Sequence, residues 1–64
     1  MCEANAYLIS DDKKELVMEA VDTVKPDDNG LRLISIFGDQ KILQAKIHSL
    51  SLIDHEIYLK EIQT

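Results

Sequence analysis

Near the middle of the chain stands Pro26-Asp27-Asp28-Asn29-Gly30, the stretch that most narrows what this sequence can become. Asn-Gly supplies the positive φ angles of a tight hairpin turn, and Pro26 has no amide hydrogen to continue a ladder, so it is expected to end whatever precedes it. A reversal this tight makes the two flanking segments antiparallel neighbours. The chain around it therefore reads as hairpins.

The flanks fit that reading. From Glu3 to Ser10 the side chains alternate, with Ala4, Ala6 and Leu8 on one face and Asn5, Tyr7 and Ile9 on the other, which is strand periodicity. Asp11 to Lys14 form a polar hairpin tip. In Glu15 to Lys25, Leu16, Val17, Ala20, Val21 and Val24 fall at helical spacing, but three valines, Thr23 and the turns on both sides favour an extended segment broken by a bulge. Leu31 to Phe37 is expected as a strand with apolar residues on both faces, hence buried on both sides, in a closed barrel or at a subunit contact. Gly38-Asp39 is the next turn. Gln40 to Ile53 supplies one long bent strand or two short ones, with Ile47, Leu50 and Leu52 inward. Asp54-His55 leads into Glu56 to Ile62, with Ile57 and Leu59 inward and Tyr58 and Lys60 outward. His is among the residues that tolerate a left-handed backbone at such a tip. Short strands separated by regular turn signals predict an all-β domain, a small closed barrel of about five strands.

A chain of 64 residues makes one domain. A domain this small buries only about 60% of the surface its unfolded form exposes. It has one cysteine, so no internal disulfide, and no Cys/His set at structural-zinc spacing. Association with a second copy is the remaining support. Seven basic against 12 acidic residues give a net charge of −5, which argues against nucleic acid or an anionic membrane as partner. No apolar run approaches the roughly 20 residues of a membrane span, and no basic segment followed by an apolar one opens the chain. The expectation is a cytoplasmic protein, with its cysteine reduced.

That cysteine, Cys2, is the strongest candidate for chemistry. A lone cysteine is ordinarily a small buried hydrophobe, but a residue beside a chain end seldom sits in a core. With Met1 it offers a thiolate, a main-chain nitrogen and a terminal amine within two residues, a chelating set for a soft divalent metal. His48 and His55 lie on either side of a predicted turn and do not converge on a shared site. Asp11-Asp12 and Asp27-Asp28 are solvated turn residues without the desolvated pocket a general acid needs. Tyr7, Phe37 and Tyr58 could stack bases on an exposed sheet face, although core or dimer packing explains Phe37 better. No nucleophile with its base, glycine-rich phosphate loop or catalytic carboxylate pair can be assembled, so an enzyme is not expected.

Met1-Cys2 followed by Ala4 and a strand, the strand-like Glu15 to Val24, Leu31 to Phe37 closed by Gly38-Asp39, and the terminal hairpin Ile47 to Ile62 together resemble CooT-type proteins over nearly the whole chain. These are small dimeric nickel-binding proteins associated with maturation of carbon monoxide dehydrogenase, a family also described as predicted RNA-binding proteins. The resemblance implies an SH3-like or Sm-like barrel of about five to seven strands, forming a homodimer in which the Cys2 residues of both chains meet at one Ni(II). It implies a metallochaperone, storage or sensing role, with carbon monoxide dehydrogenase or its accessory proteins as partners. Cys2 alone carries over as a side-chain ligand. The nitrogen donors depend on processing: if Met1 is retained they are its amine and the Cys2 amide, and if it is removed the Cys2 amine takes their place. The alternatives are an RNA-binding small barrel and a protein adaptor without metal.

Overall fold

The computed structural model describes residues 3–62. Six strands form a single sheet: β1 (Ala4–Ser10), β2 (Lys13–Asp27), β3 (Gly30–Ser35), β4 (Gln40–Leu43), β5 (Ala45–Ser51) and β6 (Glu56–Glu61). Their spatial order is β4-β3-β2-β1-β6-β5. Sequential neighbours other than β4 and β5 pair antiparallel, whereas β1 and β6 run parallel, with Asn5 level with Glu56 and Tyr7 level with Tyr58. The sheet curls strongly into a half-barrel. It does not close as a ladder: β4 and β5 are its two edges, joined only through Gln44.

The curl originates in β2. Between Ala6↔Met18 and Ala4↔Val21 it advances three residues while β1 advances two, and between Tyr7↔Leu16 and Ala6↔Met18 it advances two against one. Against β3 the steps Val21↔Ser35 and Thr23↔Ile34 again leave an extra residue on β2. Extra residues on one strand bend it and increase its twist. Met18, Val21 and Val24 consequently reach the core every third residue instead of every second. That spacing imitates a helix, which is why the segment carries a helical pattern although it is the bulged strand expected from its valines and flanking turns.

The core sits on the concave face and is small: Ala6, Val21, Leu31, Leu33, Ala45, Ile57 and Leu59, with Leu33 and Leu59 the large side chains wholly removed from water. Ser35 is the one buried polar residue among those described. Its Oγ accepts hydrogen bonds from the amides of Phe37 and Asp39, 3.1 and 3.2 Å away, so the turn after β3 is satisfied from within.

Several expectations need correction. Pro26 does not end its strand: β2 runs on to Asp27, and Pro26 lies opposite Leu31. Asp27↔Gly30 is the closing pair of a two-residue hairpin, so the next pair is the non-bonded kind and a proline nitrogen there faces away from β3. β1 pairs with β2 no farther than Val21, so no ladder bond is lost. The positive φ falls on Gly30, at 134°, and not on Asn29. The Asn29 amide instead donates to Asp27 Oδ1 at 3.1 Å, and Arg32 reaches the other carboxylate oxygen at 2.8 Å. Phe37 belongs to the turn beyond β3 and is 77% exposed, so it is not core. Ile47 and Leu50 do oppose Leu59 and Ile57 on the concave side, but β5 is an edge with nothing over it, and both are about half exposed. Leu52 lies in the turn after β5 and is 82% exposed.

Gly30 is fixed by proximity as well as by φ. A Cβ there would stand 2.0 Å from the Leu43 carbonyl oxygen, at the corner where the chain passes from β4 to β5. The same corner is tied from the far side by the Ile62 amide, which donates to Gln44 O at 2.9 Å. Both neighbours of the missing Cβ are backbone and cannot step aside. Gly30→Ala should therefore destabilise the fold by about 2 kcal/mol or more, read as a lower urea midpoint with an unchanged m-value; a midpoint equal to wild type would show that the corner yields.

Candidate functional site

Met1 and Cys2, the residues singled out for metal binding, lie outside the described residues. The structure does define the residues that follow them in the chain. Glu3 and Ala4 open onto a cleft of about 360 Å³ on the concave face. Its walls are apolar side chains of β2, β5 and β6, notably Val21, Val24, Leu50 and Ile57. Glu3, Asp22 and His55 stand among its polar lining residues, which include no lysine or arginine. The cleft continues outward into the turn after β5, where Leu52 and Ile53 are 82% and 92% exposed. Large apolar side chains gathered this way on a small protein mark a surface that meets another molecule.

The start of β1 is held firmly. The Asn5 amide donates to the His55 carbonyl at 3.0 Å, and Asn5 Oδ1 accepts from the Ala20 amide at 3.1 Å. Asn5, three residues along from Cys2, is thus bonded to β2 on one side and to the turn before β6 on the other. His55 has φ 55°, in keeping with the left-handed tip expected of it. His48 lies on β5, its Nδ1 3.2 Å from Ser49 Oγ, and the two histidines share no site. Among the described residues no three His, Cys, Asp or Glu side chains come together as a metal site.

A second cluster occupies the convex face. Tyr7 and Tyr58, level with each other on the parallel strands, have ring centroids 6.1 Å apart at a tilt of 36°. Lys14 Nζ stands 4.6 Å over the Tyr7 ring and 5.6 Å from that of Tyr58, and reaches Glu56 Oε1 at 3.4 Å. The Tyr58 hydroxyl donates to the same carboxylate oxygen. This bond is the main cause that holds the Glu56 carboxyl below its usual value, with Lys14 adding to it against some desolvation. The same bond pushes Tyr58 up from 10.0 to about 12. Of the three aromatics considered for base stacking, two do share the convex face, but they are half-buried, with a lysine over their rings and a carboxylate beside them. Phe37 lies elsewhere. The cluster's only sequence signal is the i, i+2 placement of Glu56 and Tyr58 on a strand, and nothing in the sequence marks Lys14 as their partner.

Compared with known proteins, residues 1–60 match the family model described as CO dehydrogenase accessory protein CooT. A crystal structure described as that of CooT from Carboxydothermus hydrogenoformans superposes with a TM-score of 0.93 at 45% identity, covering 97% of this chain and 100% of that one. No curated protein matches the chain.

The tyrosine–carboxylate bond makes a testable pH dependence. A group whose pKa is raised on folding stabilises the fold fully below its unfolded value, here 10.0, and loses that contribution as pH rises through about 12. Glu56, lowered on folding, acts the other way: its contribution is present above the ordinary carboxyl range and is lost as pH falls through its depressed value. NMR of the Tyr58 ring carbons should show ionisation near 12 in wild type and a downward shift toward 10.0 in Glu56→Gln. An unchanged Tyr58 titration in that variant would remove Glu56 as the cause.

Proposed function

The chain belongs to the CooT family of CO dehydrogenase accessory proteins, and from that premise we propose that it is a cytoplasmic nickel-binding homodimer, accessory and not catalytic, serving the nickel supply of carbon monoxide dehydrogenase by delivery, storage or sensing. The observation that carries the reading is the family match across residues 1–60, which takes in Cys2 together with the whole sheet.

The donor chemistry fits the cargo. Ni(II) is d⁸, and strong-field donors such as a thiolate and a deprotonated amide favour a square plane. One terminus offers a thiolate and an adjacent nitrogen, half of such a plane. Two chains related by a two-fold axis supply S₂N₂ with no further side chain, so the absence of a three-residue metal cluster among the described residues is compatible with this site. Each Cys2 contributes its thiolate; the two nitrogens of the plane are drawn from the Met1 amine and Cys2 amide where Met1 is retained, or are the two Cys2 amines after processing.

The dimer has physical support of its own. The core of seven buried apolar side chains among the described residues is slight, and the uncovered apolar side chains of β5 and its turn adjoin Glu3 and Ala4, next to the terminus in the chain. A second copy seated over that face would bury Leu50, Leu52 and Ile53 and bring two termini toward one axis. A nucleic-acid role is weaker: the net charge is −5, and the half-buried tyrosine pair carries Glu56 beside it.

Metal binding on this reading displaces protons from the thiol and, where it is used, the amide, so apparent affinity rises with pH. Cys2→Ser should abolish the nickel-dependent ultraviolet bands near neutral pH while leaving the thermal melt unchanged. Titration of wild type should saturate at about half an equivalent of nickel per chain. Persistence of the bands in the serine variant would overturn the site, and saturation at a full equivalent would overturn its sharing between chains.

A further inference from the structure

The register of the sheet sorts the charges between its two faces. Cross-strand partners project from the same face. Lys46 opposite Lys60, Lys60 level with Ile9, and Ile9 opposite Lys14 therefore form one row across β5, β6, β1 and β2. Leu59 and Leu8, the neighbours of Lys60 and Ile9 along their strands, face the core, which puts the row on the convex side. All three lysines are exposed and Ile9 is half-buried. The next row holds Tyr58, Tyr7 and Leu16, the last of them 47% exposed. Acidic side chains fall mainly on the other face: Glu15 is level with Leu8 and Glu61 with Ala45, while Glu3 and Asp22 line the concave cleft. Glu56, on the convex face, is taken up by Tyr58 and Lys14. A chain of net charge −5 thus carries a local positive strip.

The strip stands against its own electrostatics. Lys46 and Lys60 are directly opposite, and like charges so placed destabilise a sheet. Neither makes a salt bridge among the described residues. We propose that the strip is a docking surface for a short acidic segment of another protein, whose carboxylates meet Lys46, Lys60 and Lys14 and whose apolar side chains lie on Ile9 and Leu16. Lys14 keeps 51% of its side chain exposed while touching Glu56, so it remains open to a second carboxylate. Charge complementarity selects the sign of the partner, and size selects its class. Three strand spacings of about 4.8 Å make the row roughly 14 Å long, a length that about four or five extended residues cover. Asp11 and Asp12, in the adjoining turn, limit the strip on that side. Three lysines release too few counterions to hold a nucleic acid on a chain with a surplus of acid. The tyrosine rings, half-buried with Lys14 over them, do not offer bases a free stacking surface. A second copy offering its acidic concave face would stack head to tail without closing, so the partner is a different protein.

Fluorescence anisotropy at low ionic strength tests this with two labelled probes, a short peptide of alternating glutamate and leucine and an oligouridylate of matching charge. Three proteins are compared: wild type, a strip variant with Lys46→Gln and Lys60→Gln, and a control with Lys13→Gln and Lys25→Gln, which loses the same charge outside the row. Wild type should bind the peptide, more weakly as salt is added. The strip variant should bind it about tenfold more weakly, with a thermal melt equal to or above that of wild type, because the repulsion between Lys46 and Lys60 is gone. The control should keep wild-type affinity. Absence of peptide binding by wild type would overturn the proposal, and so would an equal loss in the control, which would reduce the effect to net charge. Tighter binding of the oligouridylate than of the peptide would make the strip a nucleic-acid surface instead. A lowered melt in the strip variant would mark the lysines as structural and overturn the proposal as well.

Discussion

The extra residues on β2 are the constraint on which the rest of this structure depends. A six-stranded sheet of regular alternation would be a twisted plate with two solvated faces, and a chain with so few aromatics could not cover either of them. Each time β2 advances one residue more than β1 or β3, the sheet bends toward the side that carries Ala6, Leu33 and Leu59. Small residues then become an asset. Ala6 at the centre of β1 and Ala45 at the start of β5 let the curled strands approach, and Gly30 lets the β4–β5 corner pass at backbone distance. The parallel pairing of β1 with β6 follows, because a sheet curled this far brings the last strand beside the first.

Curling without closing has a consequence for association. In a ladder-closed barrel the edges disappear, but here β5 keeps one side unpaired and its concave-facing Ile47 and Leu50 half in water. An exposed edge backed by apolar side chains invites strand pairing or face packing. Lys46 and His48 on β5, with a bulge at His48, interrupt the regular edge that indiscriminate pairing would need. The open side is thus suited to a specific contact more than to aggregation.

How far the sequence revealed this differs from one element to the next. β1 and β6 were legible because strict alternation with Ile57 and Leu59 inward survives intact in the fold. The bulged strand was legible as a strand but its bulges could not be placed, since a spacing of three has the same appearance whether it arises from helical geometry or from inserted residues. Pro26 misled because a proline's effect depends on where its nitrogen points, and that follows from a register set by Asp27 and Gly30 together. Phe37 misled because size suggested burial, whereas Ser35 caps the turn that carries it out of the sheet. The terminus was singled out through Cys2, but the bonds that hold the start of β1 carried no signal: the partners of Asn5, Ala20 and His55, are remote in sequence and meet it only through the pairing of β1 with β2 and β6.

Charge couples the proposed dimer to the proposed cargo. Two copies each carrying −5 repel one another, and the cleft lining adds Glu3 and Asp22 on the side where they would meet. Apolar contact across β5 must outweigh that repulsion, and salt should ease it by screening. A divalent metal at the axis adds positive charge where the repulsion is concentrated, although the protons lost from its ligands offset part of it. Metal bound preferentially by the dimer must, by linkage, strengthen the dimer by the same factor. The acidic surface also draws any divalent cation toward the site without choosing among them. Selectivity on this reading therefore rests on the thiolate and nitrogen donors, and the acidity that makes nucleic acid a poor partner makes a metal cation a favourable one.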